Sequence, residues 1–382
     1  MNEVISEKVR DEFGELKSHY FNAAYFGPSP LRSKRQVEDT LAKEVNPSFI
    51  PYDEWYQKPE ISRKHFANLL GVTADEVFHS CSVSDVNNTL IQGLNLNAND
   101  VVTVINKDYP SNVLPFLLAE EKNRNKLQLL DLPLEDLPTS KWLDDHIDPN
   151  TKVFCISWVT FDTGKRIDLT DLGKYLKEKN IFFIVDCTQG LGGLKLKHQE
   201  LELIDAISCA SYKWLLGPYG HAFGYISKNA KREVTHNNGN WITSANSTNV
   251  QSLLEYTTKT LPGARKFDRG QTANLLATSC LEKSLELLLE VGLDNIESYN
   301  QELVRYFIEN LSSKNLKLIT PTQNPSNILC FKVTGGEASD LEKKLTSNNI
   351  DVSIREGSLR LSFHLYNSKA QVEFLLNIIN SF

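Results

Sequence analysis

Two residues in the middle of the chain stand where charge is expensive. The apolar run "IFFIVD" (Ile181–Asp186) ends on a carboxylate, Asp186. "DAISCA" (Asp205–Ala210) exits into "SYK", which puts the ammonium of Lys213 at the mouth of a second apolar run. A carboxylate there is costly unless a cationic or donor-rich group meets it. A buried lysine with a lowered pKa is a Schiff-base former. A third piece, "VFHSCSVSDVNN" (Val77–Asn88), is a serine-rich turn of small residues that opens a helix at about Val83. Serine hydroxyls, backbone N–H groups and a helix N-terminus suit a phosphate.

These pieces need a scaffold, and the surrounding texture supplies one. "VVTVI" (Val101–Ile105), "KVFCISWV" (Lys152–Val159), "IFFIVD", "DAISCA" and "FGYIS" (Phe223–Ser227) are short, β-branched or aromatic, and apolar on both faces. Strands of a covered parallel sheet read this way. Between two of them, "DLTDLGKYLKEKN" (Asp168–Asn180) sets Leu169, Leu172 and Leu176 on one helical face. Strand–helix–strand order predicts an α/β fold with a right-handed crossover. In such sheets ligands sit at the carboxyl ends of the strands, where "KVFCISWV" exits into "TFDTG" and "VVTVI" into "NKDYPS". After Tyr256 a long helical stretch, interrupted near Gly292, precedes the strand-like "NILCFKV" and "SLRLSFH" and the helix "KAQVEFLLNIINSF". The expected organisation is a large α/β domain with a mostly parallel sheet over 20–258 and a smaller C-terminal α+β domain over 259–382, with residues 1–19 packing on the latter.

Composition narrows the function. The chain has 382 residues, 41% hydrophobic and 23% charged, with a net charge of −7. That balance fits an ordinary soluble globular protein and argues against nucleic acid or an acidic membrane as main partner. No apolar run reaches the roughly 18 residues of a spanning helix, and "MNEVISEKVRDEFGELKSHY" lacks the apolar core of a signal peptide. The six cysteines are dispersed, with no CxxC, and the eight histidines show no HExxH spacing. Reduced thiols in the cytoplasm and no metal site are expected.

Phosphate turn, buried lysine and facing aspartate together meet the needs of pyridoxal phosphate, with its lysine imine and its Asp–pyridinium pair. Here the sequence resembles the class V aminotransferases of fold type I, a family that also holds cysteine desulfurases, kynureninases and isopenicillin N epimerase-like enzymes. The likeness runs from about Tyr20 to the C-terminus. It is carried by "YFNAAYFGPSP", "DYPSNVLPF", "SWVTFDTGKRIDL", "VDCTQGLGGL", "SYKWLLGPYG", "RKFDRGQTAN" and "SLRLSFHLYN". The resemblance implies that Lys213 is the Schiff-base lysine and general base, and that Asp186 pairs with the pyridine nitrogen. It implies that Gln189 meets the phenolic oxygen and that Tyr109 stacks on the ring. Ser82, Val83 and Tyr212 fall at phosphate positions. Gly270 and Gln271 would reach the cofactor of a neighbouring subunit in a homodimer. Arg360 would grip the carboxylate of an amino-acid substrate, with Asn22 beside it.

The departures bear on the reaction. Cys81-Ser82-Val83 stands where the family has Gly-Thr-Thr, and "KFDRGQT" where it has RFE-x-G-T, with the threonine one place late. The desulfurases carry a loop cysteine some fifteen residues before the arginine; here "EKKLTSNNIDVSIREGS" has none, and Cys330 lies in an apolar strand. Persulfide-forming chemistry is therefore not expected. Transamination is the first reading, C–S lyase or epimerase chemistry the alternative, and a non-catalytic cofactor-binding protein a reading of another class. Taken singly, Lys213 reads as a surface lysine, Asp186 as a helix cap near Thr188, Tyr109 as a packing aromatic and Arg360 as half of a surface ion pair.

Overall fold

The computed structural model describes residues 5, 7–51, 53–133, 136–230, 233–247, 249–269, 274–355 and 357–382. Strands are numbered in chain order. β1 (His19–Tyr20) pairs in parallel with β11 (Ile350–Asp351). The main sheet holds β2 (Val77–Ser80), β3 (Val101–Ile105), β4 (Lys126–Leu130), β5 (Thr151–Ser157), β6 (Phe182–Asp186), β7 (Ala206–Ala210) and β8 (Ala222–Ile226). Their order is β2-β8-β7-β6-β5-β3-β4. Only β8 runs against its neighbours, so the sheet is mostly parallel.

The doubly apolar strands are explained by cover on both faces. Val153 and Cys155 enter one buried cluster with Phe78, Leu90 and Phe116. Phe154 and Ile156 enter the other with Phe183, Ile207 and Phe223. Alternation of side chains across a strand makes each residue serve one core. The expected crossover helix spans Leu169–Glu178, buries Leu169, Leu172 and Leu176, and is capped by Asp168, whose side chain accepts from the Thr170 and Asp171 N–H groups.

Val77–Ser80 was read only as part of a turn, yet it forms an edge strand. Four residues carry no clear period, and the antiparallel pairing with β8 decides the outcome. The second sheet is antiparallel, in the order β12 (Ser353–Arg355), β13 (Ser358–Ser362), β10 (Ile328–Val333), β9 (Leu316–Leu318). The long helical stretch divides into Leu275–Val291 and Leu293–Asn310, and Gly292 between them takes φ +83°. No helix among the described residues is long and apolar enough to cross a membrane.

Candidate active site

The carboxyl ends of β3, β5, β6 and β7 lie along one edge of the sheet, where β2 also ends and β8 begins. A cavity of ≈190 Å³ opens there, and Ser82, Val83, Tyr109, Asp186, Gln189, Tyr212 and Lys213 all line it. Seven residues singled out across more than a hundred positions of chain thus share one hollow.

Asp186 closes β6, is buried, and is not left bare. Its Oδ1 accepts from the Thr188 N–H at 2.9 Å and its Oδ2 from Asn112 Nδ2 at 2.9 Å. The local capping contact does exist, but no helix follows it; the segment after Asp186 is a turn. Lys213 is buried at 6% exposure, which removes the surface-lysine reading. Its Nζ lies 5.2 Å from the ring centroid of Tyr109 and 5.6 Å from that of Tyr212, within cation–π range.

The lysine turn is fixed from behind. The Gly27 N–H donates to the Tyr212 carbonyl at 2.8 Å, and Leu216 N–H to the Lys213 carbonyl at 3.1 Å. Leu216 sits at φ +57°, a costly conformation for a branched residue that its full burial holds in place. Gln189 is set by two contacts: Nε2 donates to Ala24 O at 3.1 Å, and Oε1 accepts from the Trp214 indole at 3.1 Å. Its amide keeps a second N–H for a ligand. Tyr109 presents an exposed ring that meets Phe161 edge-on at 5.5 Å.

At the other end, Ser82 caps the helix Val83–Gly93, its Oγ accepting from the Asp85 N–H at 3.1 Å. The first N–H groups of that helix have no partner within it, and the helix dipole favours an anion there. Burial pushes the Tyr212 phenol upward, so it stays a donor. Burial and Asp85 also push the Cys81 thiol upward, away from thiolate.

Arg360 and Asn22 lie apart from this lining. Arg360, on β13, is buried; Nη1 donates to the Phe161 carbonyl at 2.9 Å and Nη2 reaches Ser353 Oγ at 3.3 Å. Ser353 Oγ donates to Asn22 Oδ1 at 2.7 Å, and Asn22 Nδ2 to Asp351 at 3.0 Å. The two residues therefore belong to one polar chain, joined to the cavity through Phe161. Gly270 and Gln271 lie outside the described residues.

Several neighbours escaped the sequence reading. Asp108, in "NKDYPS", accepts from Ser157 Oγ at 2.7 Å and from the Tyr109 N–H at 2.7 Å. Burial, with Asp186 adding to it, pushes Asp108 up to about 6. Arg269 bridges to Asp85 at 3.1 Å. Asp268, one residue before it, is held by the buried Arg63 guanidinium at 2.7 Å and 3.0 Å and accepts from the His79 N–H. The available signal was a charged residue at a strand exit in Asp108, and a doublet of opposite charge in "DR" for the loop.

An acid, an amine, an aromatic ring and the N-terminus of a helix thus surround one cavity. Comparison with known proteins bears on the family and the fold. Residues 51–375 match the family described as Aminotransferase class-V. The chain is 24% identical to an uncharacterised aminotransferase of Schizosaccharomyces pombe over 338 residues, 86% of this chain and 83% of that protein. Its fold is similar to the apo cysteine desulfurase of Thermococcus onnurineus NA1, with TM-score 0.85, 21% identity and coverage of 100% and 98%. It is also similar to the cystine C–S lyase C-DES, with TM-score 0.86, 17% identity, 97% of this chain and 99% of that one; one C-DES structure carries glycine covalently linked to its PLP cofactor. With most of its length matched, the chain belongs to the class-V aminotransferase family.

Proposed function

We propose that this protein is a pyridoxal-phosphate enzyme that acts at Cα of an amino acid, with transamination as its first reading. The observation that carries it is the shared cavity of Lys213, Asp186, Tyr109 and the Ser82-capped helix end. The donor set suits the cofactor at each point. Asp186 would face the ring nitrogen, Gln189 the phenolic oxygen, and Tyr109 the ring face. Tyr212, Ser82 and the N–H of Val83 would hold the phosphate, and Lys213 would bind the carbonyl carbon. The chemistry that pyridoxal phosphate supplies when bound is acceptance of the electron pair left at Cα.

The chain's own residues do the rest. Lys213 Nζ, close to two tyrosine rings and away from bulk water, takes the Cα proton as general base and returns it. Asp186 would meet the ring nitrogen in a fixed orientation, because Asn112 and Thr188 each donate to one of its oxygens. Arg360 would receive the substrate carboxylate, for which its planar fork is suited, and Asn22 would orient it through Ser353.

C–S lyase chemistry is the second reading, favoured by the similarity to the cystine C–S lyase. Persulfide formation on the protein is disfavoured. Cys330 is fully buried with its thiol pushed to about 12. Cys81, the exposed cysteine, is held as a thiol by burial and Asp85. Exposed Tyr219, Trp241, Leu254 and Tyr256 support a homodimer, and six free cysteines suit the cytoplasm.

The test begins with purified protein and added pyridoxal phosphate. A visible absorption band that disappears in Lys213→Ala is expected, in a particle of two chains. A band unchanged in that variant overturns the lysine assignment, and a one-chain mass removes the dimer. Amino acids are then screened for keto-acid, ammonia and sulfide release. Sulfide or pyruvate released with no keto-acid acceptor present replaces transamination by elimination.

A further inference from the structure

We propose that Asp108 is a positioning residue for Asp186: the two carboxylates form one bridged pair, and the charge on Asp108 sets the electrostatic field beside Asp186 at this end of the cavity. The inference rests on the reading above only for what stands opposite Asp186. The pair itself is a matter of geometry.

Asn112 joins the two. Its Nδ2 lies 2.9 Å from Asp186 Oδ2, 3.1 Å from Ser157 Oγ and 3.4 Å from Asp108 Oδ2. That amide carries two hydrogens and faces three acceptors. Which acceptors receive them depends on which groups are charged. Ser157 adds a second link, since its Oγ donates to Asp108 Oδ1 at 2.7 Å while accepting from Asn112, and its backbone N–H reaches Asp108 Oδ2 at 3.1 Å. Asn112 is itself held, its Oδ1 accepting from Asn87 Nδ2 at 3.0 Å. Strand pairing keeps the frame rigid: Ser157 on β5 is the register partner of Asp186 on β6.

The titratable groups around Asp108 are Asp186 on β6, the Cys155 thiol on β5, Tyr109 next in the chain, and Lys213 Nζ over the Tyr109 ring. With Asp108 ionised, Ser157 turns its hydroxyl hydrogen to it and Asn112 serves Asp186. A negative charge then stands behind the cavity wall, bridged to Asp186 through Asn112 and Ser157. With Asp108 protonated that charge is gone, and a cationic ring nitrogen opposite Asp186 is less favoured. The negative charge of Asp186 in turn adds to the burial that raises Asp108. The midpoint near 6 places this change inside the working range of a cytoplasmic enzyme.

Two measurements decide it. In cofactor-free protein, the side-chain carboxyl 13C signal lost in Asp108→Asn should titrate near pH 6, and Asp186→Asn should move that midpoint toward the ordinary carboxylate value. A midpoint that Asp186→Asn leaves in place overturns the pair. In protein loaded with ring-15N pyridoxal phosphate, the nitrogen shift should step near pH 6 and be flat in Asp108→Asn. A step that survives in Asp108→Asn overturns its role. Should that variant not fold, Ser157→Ala, which cuts a bridge and keeps both acids, should displace the step; an undisplaced step counts against the proposal. Protein that takes up no pyridoxal phosphate while Asp186→Asn still moves the Asp108 midpoint defeats the cofactor reading and leaves the pair standing.

Discussion

Arg360 is the residue whose surroundings say most about its use. Its guanidinium already donates to the Phe161 carbonyl and reaches Ser353 Oγ, and Phe161 lines the lysine cavity. A fork held in this way is oriented before substrate arrives, so little freedom is lost on binding. Arg360→Lys keeps the charge but not the fork. We expect it to raise KM for an amino-acid substrate at least tenfold, about 1.4 kcal/mol, with kcat changed far less. An unchanged KM, measured on protein with normal cofactor content, removes Arg360 from the substrate site. Sequence alone set Arg360 and Asn22 side by side through resemblance. What it could not supply was Ser353, because a serine has no signature until its own strand, β12, is paired with β13.

At the scale of elements, the site depends on one close approach. A Cβ added at Gly27 would stand 1.8 Å from the Lys213 carbonyl oxygen and 2.9 Å from its carbon, both backbone atoms that cannot yield. The segment around Gly27 and the lysine turn must part to admit a methyl group, breaking the Gly27–Tyr212 hydrogen bond. Gly27→Ala should therefore lower pyridoxal-phosphate affinity tenfold or more in protein whose far-ultraviolet circular dichroism is normal. Unaltered affinity would show that the clamp does not set the lysine. The five main-sheet strands read from the sequence are those with continuous apolar runs, because both faces are covered. β1, β2, β4, β9, β11 and β12 were missed: they are short or edge strands, whose pattern is set by their partners. The helix at Val83 was legible since its cap, Ser82, is local chemistry. The Asp108–Asn112–Ser157 bridge was not, since the segment after β3 must meet the end of β5 before it exists.

For the whole molecule, buried titratable groups pull stability in opposite directions as the medium is acidified. His79, His221 and His364 are buried, and desolvation holds His79 at about 3, His364 at about 4 and His221 well below the ordinary 6.5. The tautomers of the first two are fixed: the Pro59 carbonyl can only accept, so His79 Nε2 donates to it and His79 Nδ1 accepts from His221 Nε2. Below pH 6.5 the unfolded chain takes three protons that these sites refuse, so their contribution is lost as pH falls. Asp108 and Asp205 act the other way. Burial raises each to about 6 from 3.8, so between those values the folded protein holds protons that the unfolded chain has released. Stability from these two is greatest in acid and is lost as pH rises through 6. Glu60 is silent here: burial pushes it up, but Arg265 and Arg63 outweigh this and hold it at about 2. Between pH 6 and 5, three protons gained by the unfolded state are offset by nearly two gained by the folded one. The net of about one proton costs roughly 1.4 kcal/mol of stability per pH unit. Urea unfolding of cofactor-free protein should show that shallow slope, and Asp108→Asn with Asp205→Asn should steepen it toward three protons. A wild-type slope already near three protons would mean that the carboxyls offset nothing, and with it the raised Asp108 on which its pairing with Asp186 depends near pH 6 would be lost.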